Sequence, residues 1–142
     1  MRMSSQKKKV RSMAEQKTVT AREIQQIAAT FEEKEKYVAW HGKRIKVTPL
    51  LGFAEVFELV SSIMSSCVKS PGDILVAESV DFVFKVKILE KYADIKLPND
   101  IDTQYKIIYG SDICNTVFEN INKDQLLVIA RIITSYTGIT IL

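Results

Sequence analysis

The side chains most often used for nucleophilic catalysis or zinc binding are scarce in this chain, which has one histidine and two cysteines. Cys67 and Cys114 lie 47 residues apart, each within an apolar helical pattern, so we expect two buried free thiols. His41 precedes a glycine at a predicted turn, where no enclosed pocket would exclude water from a catalytic imidazole. Together these residues cannot supply the usual ligand set of a zinc site. The sequence therefore predicts a protein that is not an enzyme and has no metal and no cofactor.

Aspartates are the remaining candidates for a metal site: Asp94, Asp100, Asp102 and Asp112. Their spacing does not match an EF-hand loop. Asp100 and Asp102 are better explained as residues at a helix start, where a carboxylate caps the first turn and offsets the helix dipole. Residues 40–44 contain a single glycine and no following serine or threonine, so they are not a phosphate-binding loop.

A second group of side chains is a candidate for contact with a partner: Trp40, Lys43, Arg44 and Tyr109. Tryptophan and arginine are enriched at binding hot spots. We also expect Trp40 to fix a hairpin onto the helices that follow it. Tyr105 and Tyr109 have a helical spacing that is typical of the rim of a core, and a docking surface is the alternative.

Hydrophobic periodicity indicates a mostly helical α+β fold, in which one N-terminal β-hairpin precedes a four-helix body. Residues 37–47 predict the hairpin, with His41 and Gly42 in its turn. This register places Val38 opposite Ile45 and Trp40 opposite Lys43.

The helices of the body are separated by turn and capping residues. The first is predicted to start at Thr48-Pro49, and its buried face is predicted from helical spacing to consist of Leu50, Phe53, Phe57, Val60, Met64 and Cys67. The second covers 77–92, the third runs from Asn99 or Asp100 to about Glu119 with Gly110 tolerated inside it, and the fourth runs from Asn122 to Gly138.

The domain organisation follows from charge and composition. Residues 1–19 predict a basic, flexible arm, residues 20–36 an amphipathic helix with a charged linker, and residues 37–142 the hairpin and helical domain. No apolar run approaches the about 20 residues that span a bilayer, so we expect no membrane contact.

Charge is distributed unequally between the arm and the rest of the chain. Residues 1–22 have a net charge of +6, and the other 120 residues have a net charge of −3. Electrostatic contact is predicted for the basic residues Lys7, Lys8, Lys9, Arg11, Lys17 and Arg22. An acidic protein surface and the phosphates of a nucleic acid both fit this charge, and so does a leader that only keeps the protein soluble.

Several short patterns resemble those of small tailed-phage and prophage proteins of Gram-positive bacteria. These patterns are His41-Gly42 with Ile45-x-Val47, Phe53-x-Glu55-Val56, Ile88-Leu89-x-x-Tyr92, Leu97-Pro98, Tyr105-x-Ile107-Ile108-Tyr109-Gly110-Ser111-Asp112 and Asn122-x-x-Gln125-Leu126. They cover residues 37 to about 135 and leave the basic arm outside.

The resemblance implies a part in virion morphogenesis, as a tail-assembly chaperone or a minor structural component. The partners it implies are other phage proteins and further copies of the chain, in the host cytoplasm during assembly or in the virion. An inhibitor of a host nucleic-acid-handling or defence enzyme is the alternative, as is a nonspecific nucleic-acid-binding module that uses the arm. We expect self-association or tight partner binding through an apolar helix face, because residues 77–92 and 139–142 carry more apolar side chains than one small core readily covers.

Overall fold

A computed structural model describes residues 17–32, 34–67 and 77–141, which form six helices and one two-stranded antiparallel hairpin. The chain divides into two compact units, the first ending at Phe31 and the second beginning at Glu32. The elements are, in order, α1 (Ala21–Glu32), β1 (Lys36–Trp40), β2 (Lys43–Val47), α2 (Phe53–Cys67), α3 (Ala77–Tyr92), α4 (Ile101–Gly110), α5 (Ile113–Phe118) and α6 (Lys123–Thr137). The predicted mostly helical α+β class is confirmed. The hairpin, however, is not N-terminal, and five helices rather than four follow it in the described residues.

The helix α1 begins at Ala21, directly after the capping residue Thr20. The Thr20 hydroxyl accepts a hydrogen bond from the Glu23 backbone N–H at 3.2 Å and donates one to the Glu23 carboxylate at 3.1 Å. These two bonds hold the first turn of the helix. The apolar residues Ile24 and Ile27 of this helix are exposed to solvent.

The hairpin has the predicted register, with Val38 paired to Ile45 and Trp40 to Lys43. His41 and Gly42 both have positive φ, 47° and 72°, as a two-residue turn of this kind requires. Because side chains alternate along a strand, Val38, Trp40, Ile45 and Val47 share one face and pack in or against the core.

The first helix of the body begins at Phe53, so the prediction of a start at Thr48-Pro49 is wrong. The Thr48 backbone N–H donates to the Tyr92 carbonyl oxygen at 2.8 Å, and Val47 forms a bridge with Ala93. The chain after β2 therefore begins alongside the end of α3 and then bends at Pro49 and Leu50. The Pro49 carbonyl oxygen, which would accept from the Phe53 N–H in a helix starting at Thr48-Pro49, accepts instead from the Asn122 N–H at 2.8 Å.

The single helix predicted as far as Glu119 is two helices, α4 and α5. Gly110 is the last residue of α4, and Ser111 is extended. The Ser111 hydroxyl donates to the Ile107 carbonyl oxygen at 2.6 Å and accepts from the Ile113 N–H at 3.3 Å. The serine side chain thus replaces the helical hydrogen bonds at this break. The interpretation of Gly110 as a glycine inside a continuous helix is wrong.

The central helix of the second unit is α3. It packs against α2, α4 and α5, and every side chain from Val80 to Tyr92 is buried or half-buried. Ile141, near the end of the chain, is also buried. The expectation that residues 77–92 or 139–142 leave an apolar face for a partner is therefore wrong for the described residues, because the fold itself covers them.

The predicted boundaries of α6 are confirmed at both ends. The Asn122 side chain accepts from the Gln125 N–H at 2.9 Å, and Gly138 adopts the left-handed conformation with φ 73°. The buried face of this helix consists of Leu126, Ile129, Ala130 and Ile133.

Candidate interaction surface

The histidine and the two cysteines lie on three different elements, His41 in the hairpin turn, Cys67 at the end of α2 and Cys114 in α5. His41 is exposed at the hairpin turn, and its ring lies 4.3 Å from that of Trp40. Both cysteines are free thiols, and burial raises the pKa of Cys67 and, with a smaller contribution from Asp81, raises the pKa of Cys114 to about 11. A thiol with a raised pKa is a weak nucleophile near neutral pH. Within the described ranges, no three His, Cys, Asp or Glu side chains are grouped so that they could hold a metal ion.

Two of the aspartates have structural roles. Asp100 caps α4, where its carboxylate accepts from the Thr103 hydroxyl and from the Thr103 backbone N–H. These hydrogen bonds lower the pKa of Asp100. Asp112 accepts a hydrogen bond from the indole N–H of Trp40 at 3.0 Å. That bond ties the end of β1 to the residue that precedes α5.

The basic residues beside the hairpin turn remain at the surface. Lys43 and Arg44 are exposed, and the Arg44 guanidinium lies 4.8 Å from the centre of the Tyr37 ring. Trp40 is half-buried and packs against the core. It therefore anchors the hairpin, while Lys43 and Arg44 stay accessible to a partner.

Tyr109 belongs to an aromatic cluster on the outer side of α3 and α4. Its hydroxyl donates to the Asp81 carboxylate at 2.6 Å, and Lys85 pairs with the same carboxylate at 2.8 Å. The rings of Tyr105 and Phe82 lie 4.8 Å and 6.3 Å from that of Tyr109. Partial burial and the bond to Asp81 raise the pKa of Tyr109. These internal partners hold the cluster as a rim of the core, with Tyr109 42% exposed.

A shallow groove of about 360 Å³ lies at the surface where α2 packs against α3. Its α2 wall consists of Glu58, Leu59 and Ser62, and Glu58 pairs with Lys91 of α3 at 3.8 Å. Two acidic and two basic side chains line the groove, so the charges of its lining balance: Glu58, Glu90, Lys87 and Lys91. The groove also defines which flank of α2 faces α3.

Phe53 and Phe57 lie on the opposite flank of α2, and both are exposed. Phe53 is 88% exposed and Phe57 is 66% exposed, so the prediction that they belong to the buried face is wrong. The buried residues are instead Leu59, Val60 and Ile63. At about 3.6 residues per turn, this buried face separates the Glu58 flank from the phenylalanine flank. Since α2 packs between α3 and α6, the phenylalanines lie on the side of α6.

The neighbouring flank of α6 is apolar as well. The side chain of Gln125 bonds to the backbone of Leu51, immediately before α2, and so identifies the flank of α6 that faces α2. Val128, Ile132 and Tyr136 follow on that flank at intervals of four residues, and all three are exposed. Phe53, Phe57, Val128, Ile132 and Tyr136 therefore border one seam, and we call them the α2–α6 surface.

Gln125 fixes the position of this surface relative to the core. Its side-chain oxygen accepts from the Leu51 N–H at 2.9 Å and from the Tyr92 hydroxyl at 2.7 Å, and its amide group donates to the Leu51 carbonyl at 3.1 Å. The Asn122 N–H also donates to the Pro49 carbonyl at 2.8 Å. The starts of α2 and α6 are thus held level with each other and against the end of α3.

The sequence contains a signal for the α6 part of this surface. In the described chain, α6 has apolar residues on its buried face and four further apolar residues, Leu127 among them, on its exposed side. One face of an amphipathic helix is enough to reach a core, so the second set marks a surplus. The sequence offers no comparable signal for Phe53 and Phe57, because their spacing also fits a core face.

The predicted electrostatic residues are only partly described. Lys17 and Arg22 are exposed beside and within α1. Lys7, Lys8, Lys9 and Arg11 lie outside the described residues.

No protein-family model matches this sequence, and comparisons with curated proteins and with solved structures gave no significant match. Of the helices in the described ranges, none combines the length and the apolar character needed to cross a membrane.

Proposed function

We propose that this protein is a non-enzymatic phage protein that acts through protein–protein contacts in virion assembly or structure. The observation that carries this proposal is the exposure of the α2–α6 surface. Large contiguous apolar patches are uncommon on soluble monomers and mark sites of interaction. Phenylalanine and tyrosine are also among the residues enriched at the centre of protein interfaces.

The chemistry of the surface favours a protein over a nucleic acid as its partner. The outer flank of α2 consists of Phe53, Phe57 and Met64 with small residues between them, and carries no charged side chain. Protein–nucleic acid interfaces are polar and strongly basic. An apolar flank of this kind instead fits the apolar face of another protein.

Phage assembly is the setting that the sequence resemblance implies for such contacts. Assembly proteins must bind other subunits in the host cytoplasm and in some cases remain in the virion. An inhibitor of a host nucleic-acid-handling or defence enzyme would use the same kind of surface. The identity of the bound protein therefore distinguishes the two functions.

The test is co-purification of the full-length protein with virion proteins from phage-infected cells. Phe57→Ser removes a large apolar side chain from the α2–α6 surface. Ile101→Ser is the matched control, because Ile101 of α4 is also 66% exposed but lies away from this surface. We expect the control to retain a head or tail protein and Phe57→Ser to reduce its recovery by at least about tenfold, as at an interface hot spot.

Two results would contradict the proposal. If recovery of the virion protein were equal in the two variants, the α2–α6 surface would not be the site of contact. If the protein bound a host nuclease or polymerase and none of the virion proteins, the inhibitor would be the correct function.

The basic segment provides a second candidate function, nonspecific contact with phosphates, which its net charge of +6 favours. Removal of residues 1–19 should leave the melting temperature of the second unit nearly unchanged, since terminal groups add little to stability. DNA binding, measured at low and moderate salt, should weaken on truncation and fall steeply with salt. Binding that responds to neither change would exclude this function.

A further inference from the structure

The exposed side of α6 has a regular arrangement of residues. It consists of four adjacent pairs, at 123–124, 127–128, 131–132 and 135–136, separated by buried or half-buried residues. Leu127 and Val128 form the central apolar pair and are 42% and 49% exposed. Such a face can pack against another helix along its whole length.

Two opposite charges lie symmetrically about this apolar pair. Asp124 and Arg131 are seven residues apart, or about two turns, and Leu127 and Val128 lie midway between them. Both charged side chains are exposed, and neither forms an ion pair with another described residue. The face is therefore self-complementary under a two-fold rotation.

We propose that the protein forms a two-fold symmetric dimer through antiparallel contact of α6 with α6 of a second copy. The two-fold axis passes beside Leu127 and Val128, so these residues meet their counterparts. Asp124 of each copy then faces Arg131 of the other. A two-fold interface repeats every contact, so the dimer contains this ion pair twice.

The charge pattern selects the antiparallel orientation. In a parallel arrangement, Asp124 would face Asp124 and Arg131 would face Arg131, and like charges in contact disfavour a complex. The apolar pair alone does not distinguish the two orientations. The charges therefore specify the direction, and Leu127 and Val128 supply apolar contact area.

The dimer also covers part of the α2–α6 surface. Val128 and Ile132 belong both to that surface and to the exposed side of α6, so a second copy on α6 extends toward Phe57 of α2. This inference rests on the proposed function, since both use the same surface, but it names a second copy of the chain as the partner.

The experiment is sedimentation equilibrium of the full-length protein and three charge variants. Asp124→Arg and Arg131→Asp each place like charges together twice in the dimer. We expect each to weaken dimerisation by at least about tenfold relative to wild type. The double variant Asp124→Arg/Arg131→Asp restores both ion pairs in reversed order, so it should dimerise within about threefold of wild type.

A matched control separates dimerisation from helix stability. Asp124 also stabilises the start of α6 through the helix dipole, and Asp102 occupies the equivalent first turn of α4. Asp102→Arg should therefore reproduce the loss in monomer stability without any change in dimerisation. The melting temperature of each variant is measured beside its association constant.

The sedimentation results distinguish the proposed dimer from its alternatives. Loss of dimer in both single variants with recovery in the double variant supports the proposal. A wild-type protein that is monomeric at micromolar concentration, or a dimer indifferent to the charge changes, overturns it. In either case the proposed function stands if Phe57→Ser still loses a virion protein and falls separately if it does not.

Discussion

The helices α2 and α3 are similar in length and apolar content, yet they differ in which of their side chains the fold covers. In α3 no side chain from Val80 to Tyr92 is exposed, whereas α2 presents Phe53 and Phe57 to solvent. The cause lies in their neighbours: α3 packs against three other helices, and α2 packs against two. Whether an apolar side chain is buried therefore depends on what surrounds the helix as well as on its spacing. The phenylalanines of α2 stay exposed because no described element of the second unit covers that flank.

Truncation of one phenylalanine in each helix gives the largest expected difference in the free energy of unfolding. Phe84→Ala removes a fully buried ring from α3 and should lower the free energy of unfolding by about 3–5 kcal/mol. Phe57→Ala removes an exposed ring from α2 and should change it by no more than about 0.5 kcal/mol. Urea unfolding of both variants at a concentration where the protein is monomeric measures the difference. Equal losses would mean that Phe57 is buried and that the comparison fails.

The side chain of Gln125 links the start of α2 to the end of α3, and its removal should give the next largest loss in the free energy of unfolding. Gln125→Ala removes the partner of the buried Tyr92 hydroxyl and of both Leu51 backbone groups, and should cost about 2 kcal/mol. In a Tyr92→Phe background the cost should be smaller, because that hydroxyl no longer needs a partner. Unfolding of the two single variants and the double variant forms a complete cycle. Strict additivity would show that Gln125 and Tyr92 are not coupled.

The hydrogen bond between Trp40 and Asp112, which anchors the hairpin, should contribute less to the free energy of unfolding. Trp40→Phe removes the hydrogen bond to Asp112 and should lower stability by about 1 kcal/mol. Asp112→Asn keeps an acceptor oxygen at that position and serves as the control, with little expected change. Thermal unfolding followed by circular dichroism measures both. A larger loss for Asp112→Asn than for Trp40→Phe would contradict the assigned role of the bond.

The remaining effect is a dependence of stability on alkaline pH. Burial raises the pKa of Cys114 from an ordinary value of 9.0 to about 11, so between these values the unfolded chain loses a proton that the folded chain retains. The unfolded state then binds fewer protons, and stability falls as pH rises through this range. In Cys114→Ala the decline should be shallower. The urea midpoint between pH 8 and 11 measures it, and identical slopes in the two proteins would exclude Cys114 as the cause.

The elements predicted best are those specified by local chemistry. The hairpin follows from alternating apolar residues around His41 and Gly42, and α6 follows from the Asn122 cap and the final Gly138. The predicted start of α2 is wrong because the Pro49 carbonyl pairs with Asn122, a residue far along the chain. The break at Gly110 and Ser111 was missed because apolar periodicity continues across it. Backbone pairing with a distant residue, and a side chain that replaces helical hydrogen bonds, leave no local pattern in the sequence.

The sequence predicts the α2–α6 surface only in part. The four exposed apolar residues of α6 exceed what one buried face needs, and that surplus is visible in the sequence. For Phe53 and Phe57, the spacing fits a buried face as well as an exposed one. The outcome depends on α3 covering the Glu58 flank, which only the assembled fold determines. The many apolar residues of α3 predict a surface for a partner, but in the structure they are buried or half-buried within the fold.

The most direct test of the central claim is intermolecular disulfide formation by Val128→Cys in the full-length protein. Two-fold contact at this position brings the new thiol close to that of the second copy, within the range that a disulfide requires. Ile101→Cys places an exposed thiol away from the α2–α6 surface and keeps both native cysteines, so it controls for random collision. The account predicts a covalent dimer that forms at least about tenfold faster with Val128→Cys, since a bound pair has a high effective concentration. Equal rates in the two variants would contradict it.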